Sequence, residues 1–409
     1  MNPPEATSEF TGKQAKEHYR RFFAGAESFN ESAGEAGEPD LSAPAIADRV
    51  ERAEAELKRI VKTHLGDRPH LYELAERIAR EGGGALEAMA NDDDEKLAEP
   101  EAQEALEVIA RTDGSRPSFL VKNNRVDFAS SPVGDWRDVI VPAADEIEQA
   151  VSCVGRIDHP KATQGFRGTG FLIAPDLILT NRHVLQAIAV PDGDGWNIDA
   201  GVKIDFGHEF RARESVKARA LRSVVFCGKD PILQAIDHSK LDLALIELEP
   251  AGAANRPPYC LAFDVSPDWA QPDLIIFTIG YPANPGLTEQ LTLVEQLFES
   301  TFGFKRLAPG TITNPVISSP PKWLAAHDCT TLGGNSGSVV VAATRGTVAC
   351  GLHYGGRRAL PRENWGHILG LTLDAPNGLP RNDGEELPTL RKLLKDRGVK
   401  LIDRQPSNQ

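Results

Sequence analysis

The sequence predicts a mainly β chain that carries an α-helical extension at its N-terminus. Three observations support this. Between Ala45 and Leu65, apolar residues recur at spacings of three and four, the period of an amphipathic helix. Further on, short apolar runs are divided by turn residues, as in Phe171 to Ala174 and Leu177 to Thr180 around Pro175-Asp176. Val339 to Val341, the turn Thr344-Arg345-Gly346 and the run Thr347 to Gly356 read as a buried hairpin. At 409 residues the chain is long enough for at least two domains.

Taken in order, residues 1–10 are expected to be disordered. Lys13 to Phe23 forms a short amphipathic helix with His18, Tyr19, Phe22 and Phe23 on an aromatic edge. Glu27 to Pro44, rich in Gly, Glu, Ser and Pro, is expected to be a linker. The stripe Ile46, Val50, Ala53, Leu57, Ile60 and Val61 marks a stronger helix. Leu71 to Ile78 continues helically after Pro69, and Gly82-Gly83-Gly84 is expected to stop it. The acidic run Asn91 to Glu95 reads as a solvated loop, and Pro100, a natural first-turn residue, opens a helix to Ala110. Phe119-Leu120-Val121 and Val126-Asp127-Phe128 flank Asn123-Asn124 and predict a hairpin. Val139 to Gln149 is expected as a connector before a strand from Val151 to Ile157, and Leu387 to Leu394 as a last helix. The domain division is a helical region over 1–115, hairpin and connector over 116–145, a main domain over 146–398 and a tail over 399–409.

The chemistry concentrates in Thr331-Leu332-Gly333-Gly334-Asn335-Ser336-Gly337-Ser338. A serine in a glycine-walled turn exposes its hydroxyl where neighbouring N–H groups can converge on one point, as acyl transfer requires. Serine is a poor nucleophile near neutral pH and needs a base oriented by a third group. Leu179 to Leu185 supplies His183 after an apolar strand, and Leu241 to Ile246 supplies Asp242 at the mouth of the run Leu243 to Leu248. Each motif alone has a bland reading: a packed histidine, a strand-opening aspartate, a Gly/Ser loop. Three together in the order His, Asp, Ser outweigh those readings. Asp237 is a rival for the acid, but it lies in a loop-like stretch with no apolar strand behind it.

These segments resemble the trypsin-like (chymotrypsin-fold) serine proteases, in particular the bacterial branch of Deg proteases and glutamyl endopeptidases. Gly168-Thr169-Gly170-Phe171-Leu172-Ile173 is similar to an early strand of that branch, and Thr180-Asn181-Arg182-His183 to its histidine motif. Asp242-Leu243-Ala244-Leu245 resembles the aspartate motif, and Gly333-Gly334-Asn335-Ser336-Gly337-Ser338 the serine motif. The likeness spans roughly residues 150–380. It implies two antiparallel six-stranded β-barrels ending near Leu373, followed by the terminal helix, with the α-helical extension in front. A His183–Asp242–Ser336 triad is implied as well, with the backbone N–H groups of Gly334 and Ser336 as the oxyanion hole. Asn335 stands where the animal digestive relatives carry an aspartate that pairs with a freshly cut N-terminus. An amide cannot make that ion pair, so the turn is expected to be ordered another way. Nothing after the terminal helix matches a peptide-binding module of the PDZ type, so a Deg-style quality-control role is not expected.

Gly351-Leu352-His353-Tyr354-Gly355-Gly356 resembles the pocket-flanking strand of glutamyl endopeptidases and of viral cysteine proteases that cut after glutamine. In both, a histidine and a threonine line the pocket. His353 and Thr331 (or Thr330) match those positions, with Tyr354 and Gly355 on the strand whose backbone would pair with substrate. An imidazole N–H and a hydroxyl can both donate to the side-chain oxygen of Glu or Gln, and a site so built rejects residues that leave its donors unpaired. Cleavage after Glu or Gln is the expectation, set against a packed strand histidine beside a small or apolar pocket.

Composition narrows the partners. The net charge of −14, from 45 basic and 59 acidic side chains, argues against nucleic acid and anionic membrane. The start lacks the basic-then-apolar pattern of a signal peptide, and no apolar run is long enough to span a bilayer. Five cysteines (Cys153, Cys227, Cys260, Cys329 and Cys350) show no framework spacing, which fits free thiols in a reducing, cytoplasmic setting better than a Cys329–Cys350 bridge. No metal motif occurs and no cofactor is expected; Pro191 to Asn197 reads as a solvated turn. The expected protein is a bacterial serine endopeptidase acting on protein or peptide substrates, with a protein partner conceivable through the N-terminal helices. A non-catalytic peptide-binding or adaptor module on the same fold is the rival of another class, and an esterase is the enzymatic rival.

Overall fold

The computed structural model describes residues 11–23, 38–62, 69–211, 217–233, 236–252, 256–283, 301–317, 319–357, 362–380 and 387–403. The expected disordered start and linker residues 27–37 lie outside them. The chain divides into two units. One takes in residues 1–117 with the short segments Ser131–Asp135 and Arg357–Arg362, and the other takes in the remainder.

The first unit is helical. Helices Gly12–Phe23, Ala43–Ile60, Pro69–Ala90 and Pro100–Thr112 enclose a core that includes Tyr19, Phe23, Ile46, Leu86, Leu106 and Ile109. The glycine triplet does not stop the third helix, which runs through it to Ala90. Space explains why: a Cβ at Gly82 would sit 2.3 Å from Ile109 Cγ1, and one at Gly83 2.9 Å from Val50 Cγ2. These glycines let neighbouring helices approach closely, and that burial outweighs their poor helix propensity. The acidic run is not all loop either, since Asp93 accepts from Lys96 N and caps a turn of helix over Asp94–Leu97.

The second unit opens with a hairpin, Phe119–Lys122 against Arg125–Asp127. Asn123 and Asn124 both take positive φ, 52° and 62°, as a tight two-residue hairpin turn demands. The expected connector is instead two short helices, Trp136–Ile140 and Ala144–Ser152, so the next strand starts at Val154. Strands Val154–Asp158, Phe166–Ala174, Leu177–Thr180, Lys203–Asp205, Ala218–Cys227 and Ala244–Leu248 then form a closed antiparallel barrel. Pro191 to Asn197 forms the tip of a separate two-stranded hairpin, Ala189–Asp192 with Gly195–Ile198.

Six further strands close a second barrel: Ile275–Gly280, Arg306–Thr313, Leu324–His327, Val339–Ala342, Gly351–Arg357 and Glu363–Ile368. Closure comes from Ile275–Gly280, which pairs with both Arg306–Thr313 and Val339–Ala342. The early hairpin belongs here, because Phe119 and Leu120 pair with Leu307 and Arg306 along the edge that Leu324–His327 also uses. Trp269, Ile276, Ile312, Val340, Cys350 and Ile368 lie in its core. Leu401–Ile402 in the expected tail pairs in parallel with Ala262–Asp264, and helix Leu390–Asp396 precedes it. All five cysteines are free thiols, and only Cys260 is exposed. Among the described residues no helix is long and apolar enough to cross a membrane.

Candidate active site

Barrel register brings His183 and Asp242 together. Leu177–Thr180 pairs antiparallel with Ala244–Leu248, Thr180 opposite Ala244, so the residues just after one strand face those just before the other. His183 lies on the helical turn Arg182–Gln186, and Asp242 stands two residues before the strand Ala244–Leu248. The contact is double. The backbone N–H of His183 donates to Asp242 Oδ1 at 2.8 Å, and Nδ1 of its ring lies 2.5 Å from Oδ2. The Asp242 side chain is 6% exposed and that of His183 33%, so the carboxylate is shielded while the imidazole reaches solvent. Asp237, the rival acid, instead accepts from Ser239 at the surface.

Two further groups hold Asp242 through its main chain. Asn181 Nδ2 donates to its carbonyl at 2.8 Å. Its N–H donates to His367 Nε2 at 3.0 Å, which leaves the ring proton of His367 on Nδ1. His367 is fully buried, and burial pushes its pKa down to about 4. The ring stacks on Tyr354, 4.5 Å between centroids.

Ser336 is half-buried in a turn that opens the strand Val339–Ala342. Gly334 and Gly337 take φ of 86° and 88° there. A side chain would be strained at either, and a Cβ would also strike Tyr281 O at 2.6 Å from Gly334 and Thr169 O at 1.9 Å from Gly337. Ser336 O accepts from Thr169 N at 2.8 Å, which ties the turn to the strand Phe166–Ala174 beside the one that leads to His183. Asn335 is buried and acts within the turn: its carbonyl accepts from Ser338 N, and Oδ1 accepts from the Ser338 hydroxyl at 3.3 Å. Among the described residues no hydrogen bond joins the Ser336 hydroxyl to His183, and the N–H groups of Gly334 and Ser336 donate to no protein acceptor.

His353 is 2% exposed and its Nδ1 lies 3.2 Å from Nε2 of the equally buried His327. Burial lowers both pKa values, His327 to about 4 and His353 well below the ordinary imidazole value, with the charges of His327 and His183 adding to the effect on His353. The Thr331 hydroxyl donates to Asn364 Oδ1 at 2.5 Å, so its own proton is already engaged. Thr330 is half-buried. The Tyr354 hydroxyl bonds His238 Nδ1 at 2.7 Å, and Gly355 lies against Ile236. The sequence offers Asn181 only as part of the histidine motif and does not single out His327, His367, Asn364 and His238. These four lie in ordinary strands or loops, and only the barrel register joins them to the motifs. Among the described residues no group of three or more His, Cys, Asp or Glu could hold a metal ion.

The trypsin-like peptidase domain family matches residues 168–350, from the Gly168 strand past the serine turn. A relative from Lysobacter enzymogenes, named a probable serine protease, is 33% identical over 276 residues, which cover 62% of this chain and 70% of the relative. Among solved structures, the inactive form of the Rv3671c protease of M. tuberculosis is 16% identical over 64% of this chain and 93% of its own, with a TM-score of 0.33. The HtrA-type protease AlgW bound to a decapeptide is 14% identical over 56% of this chain and 64% of its own, with a TM-score of 0.35. With two closed six-stranded barrels and a relative one-third identical along more than two-thirds of its length, the chain belongs to the trypsin-like serine peptidases and is an endopeptidase.

Proposed function

We propose that Ser336, His183 and Asp242 form the catalytic triad. The observation that carries the reading is the double hydrogen bond from His183 to Asp242. With Nδ1 donating to the carboxylate, Nε2 is left without a proton and can take one from the Ser336 hydroxyl. The Ser336 oxygen then attacks the scissile carbonyl, and the oxyanion is held by the Gly334 and Ser336 N–H groups, which have no protein acceptor among the described residues. His183 returns the proton to the leaving amine, and water repeats the sequence on the acyl-enzyme. Labelling with a fluorophosphonate tests this: the wild-type chain should be labelled and Ser336→Ala should not. A chain that takes no label, even with the helices removed, sinks the reading and leaves the binding module in its place.

The specificity assigned here is for Glu or Gln before the cut, and the paired imidazoles support it. A buried N–H with no acceptor costs more than a bare ring nitrogen, and His327 Nδ1 has no partner. That favours a proton on His327 Nε2, donated to His353 Nδ1, and leaves His353 an Nε2–H to offer a side-chain oxygen. Thr331, engaged by Asn364, contributes only after exchanging that bond for one to substrate. Profiling a peptide library with wild type and His353→Ala decides the matter; an unchanged preference removes the assignment.

The substrate is a protein or peptide, and the free thiols support a reducing compartment, the bacterial cytoplasm. The helical unit is assigned a recruiting or regulatory part. Activity of the full chain compared with residues 118–409 separates these: a large gain marks restraint, while loss of one protein target at equal peptide activity marks recruitment.

A further inference from the structure

The serine turn needs an ordering device, because Asn335 cannot take the ammonium partner that an aspartate would. The trans peptide fixes where that device must act: its N–H points opposite to its C=O, so holding a carbonyl aims the following N–H. Through the turn, every carbonyl from Gly333 to Ser336 is held. Gly333 O accepts from Ala283 N at 2.5 Å and Asn335 O from Ser338 N at 2.8 Å, which directs the N–H groups of Gly334 and Ser336 away from those donors. Between them lies Gly334, without a side chain and at positive φ, the torsionally loosest residue of the turn. Its carbonyl accepts from the Thr169 hydroxyl at 3.0 Å, and that of Ser336 from the Thr169 N–H at 2.8 Å.

Thr169 is itself fixed on every side. It is fully buried, its Oγ1 accepts from Tyr281 N at 3.1 Å, and its carbonyl accepts from the Thr180 hydroxyl at 2.7 Å. A hydroxyl oxygen already occupied by an incoming N–H can turn its own proton toward Gly334 O, and no rotamer search is left to do. Thr180 is three residues before His183, so one first-barrel residue is bonded to the serine turn through its hydroxyl and N–H and, through its carbonyl, to the strand that leads to the base.

We propose that Thr169 is the positioning residue that keeps the oxyanion turn open: clamping the Gly334 and Ser336 carbonyls fixes the peptide that follows each donor-bearing one, so that Ala283 N and Ser338 N can aim the two N–H donors with no chain cleavage. This rests on the reading of those N–H groups as the oxyanion hole. The donors act on the developing charge more than on the bound ground state, so loosening them lowers kcat and leaves KM nearly alone.

The test uses the full chain and a peptide substrate. Thr169→Val keeps the shape and the backbone N–H and removes the hydroxyl. It should lower kcat by roughly ten- to a hundredfold with KM within about twofold, less than outright removal of a donor. Thr169→Ser should restore kcat to within about threefold. If the valine variant fails to unfold cooperatively, Thr169→Cys, whose thiol is too weak a donor to hold a carbonyl, replaces it with the same expectation. A kcat within twofold of wild type in the hydroxyl-free variant, or a serine variant as slow as the valine one, overturns the assignment. A chain not labelled by fluorophosphonate, even without residues 1–117, overturns the serine reading itself; a labelled, active wild type beside an indifferent variant overturns only the role of Thr169.

Discussion

His327, His353 and His367 bury their imidazoles in the second barrel, and burial depresses all three pKa values, His327 and His367 to about 4. His208, between the barrels, falls to about 4 for the same reason. As pH drops below about 6.5 the unfolded chain takes up these protons first, so stability is complete above that value and is lost progressively down to pH 4. For His327 and His367 the loss is on the order of 3 kcal/mol each. Urea midpoints should therefore fall between pH 7 and pH 5, and His367→Gln should flatten that slope; an unaltered slope refutes the contribution of His367. None of this was legible in the sequence, where a histidine in an apolar strand looks like any packed residue. His183, Asp242 and Ser336, by contrast, each carry a local signature. His327 and His353 meet only through strands 26 positions apart in the chain.

At the scale of elements, the glycine triplet shows where propensity fails. Three glycines predict a helix end, yet Gly82 has Ile109 against the place its Cβ would occupy and Gly84 meets only the flexible Lys96 Nζ at 3.2 Å. The two should respond oppositely to alanine. Gly82→Ala should destabilise by about 1–3 kcal/mol through overpacking, and Gly84→Ala should be neutral or stabilise by up to about 1 kcal/mol through backbone entropy. Thermal or urea unfolding of the two variants checks this, and equal responses would contradict the close approach. Ala144–Ser152 went unread for a related reason. Its nine residues bury only Ile147, Ala150, Val151 and Ser152, too short a stripe to announce a helix before packing completes it.

For the whole molecule, the sequence divides the early hairpin from the main domain, whereas the structure builds it into the second barrel. Phe119, Leu120 and Val121 are buried, Val121 N donates to Lys305 O at 3.0 Å, and Arg306 Nη1 reaches Ser118 O at 2.6 Å. Lys305 is fully buried, its Nζ bonded to Val151 O, Phe206 O and Glu209, and Glu209 also accepts from Asn124 N at the hairpin turn. A chain of residues 118–409 keeps all of this, and one of residues 144–409 strips the edge of Arg306–Thr313. Each large apolar side chain exposed costs about 1.5–3 kcal/mol, so the shorter chain should be less stable by several kcal/mol and aggregate on heating. Comparable melting of the two would show the hairpin to be dispensable. No sequence signal marks Ser131–Asp135 as belonging with the helices, because it is short and the hairpin separates it from them along the chain.

That none of the five cysteines forms a disulfide bears on how the molecule survives handling. Neither barrel is stapled by a covalent cross-link, so dithiothreitol has nothing to cut and melting curves with and without it should superimpose. The hazard lies on the return journey. Cys153, whose thiol burial pushes up to about 12, is inert while shielded but reverts to ordinary reactivity in the opened chain, alongside four others. Refolding in air should then yield scrambled dimers that a reductant prevents, a vulnerability of the recovering polypeptide that the finished one does not share.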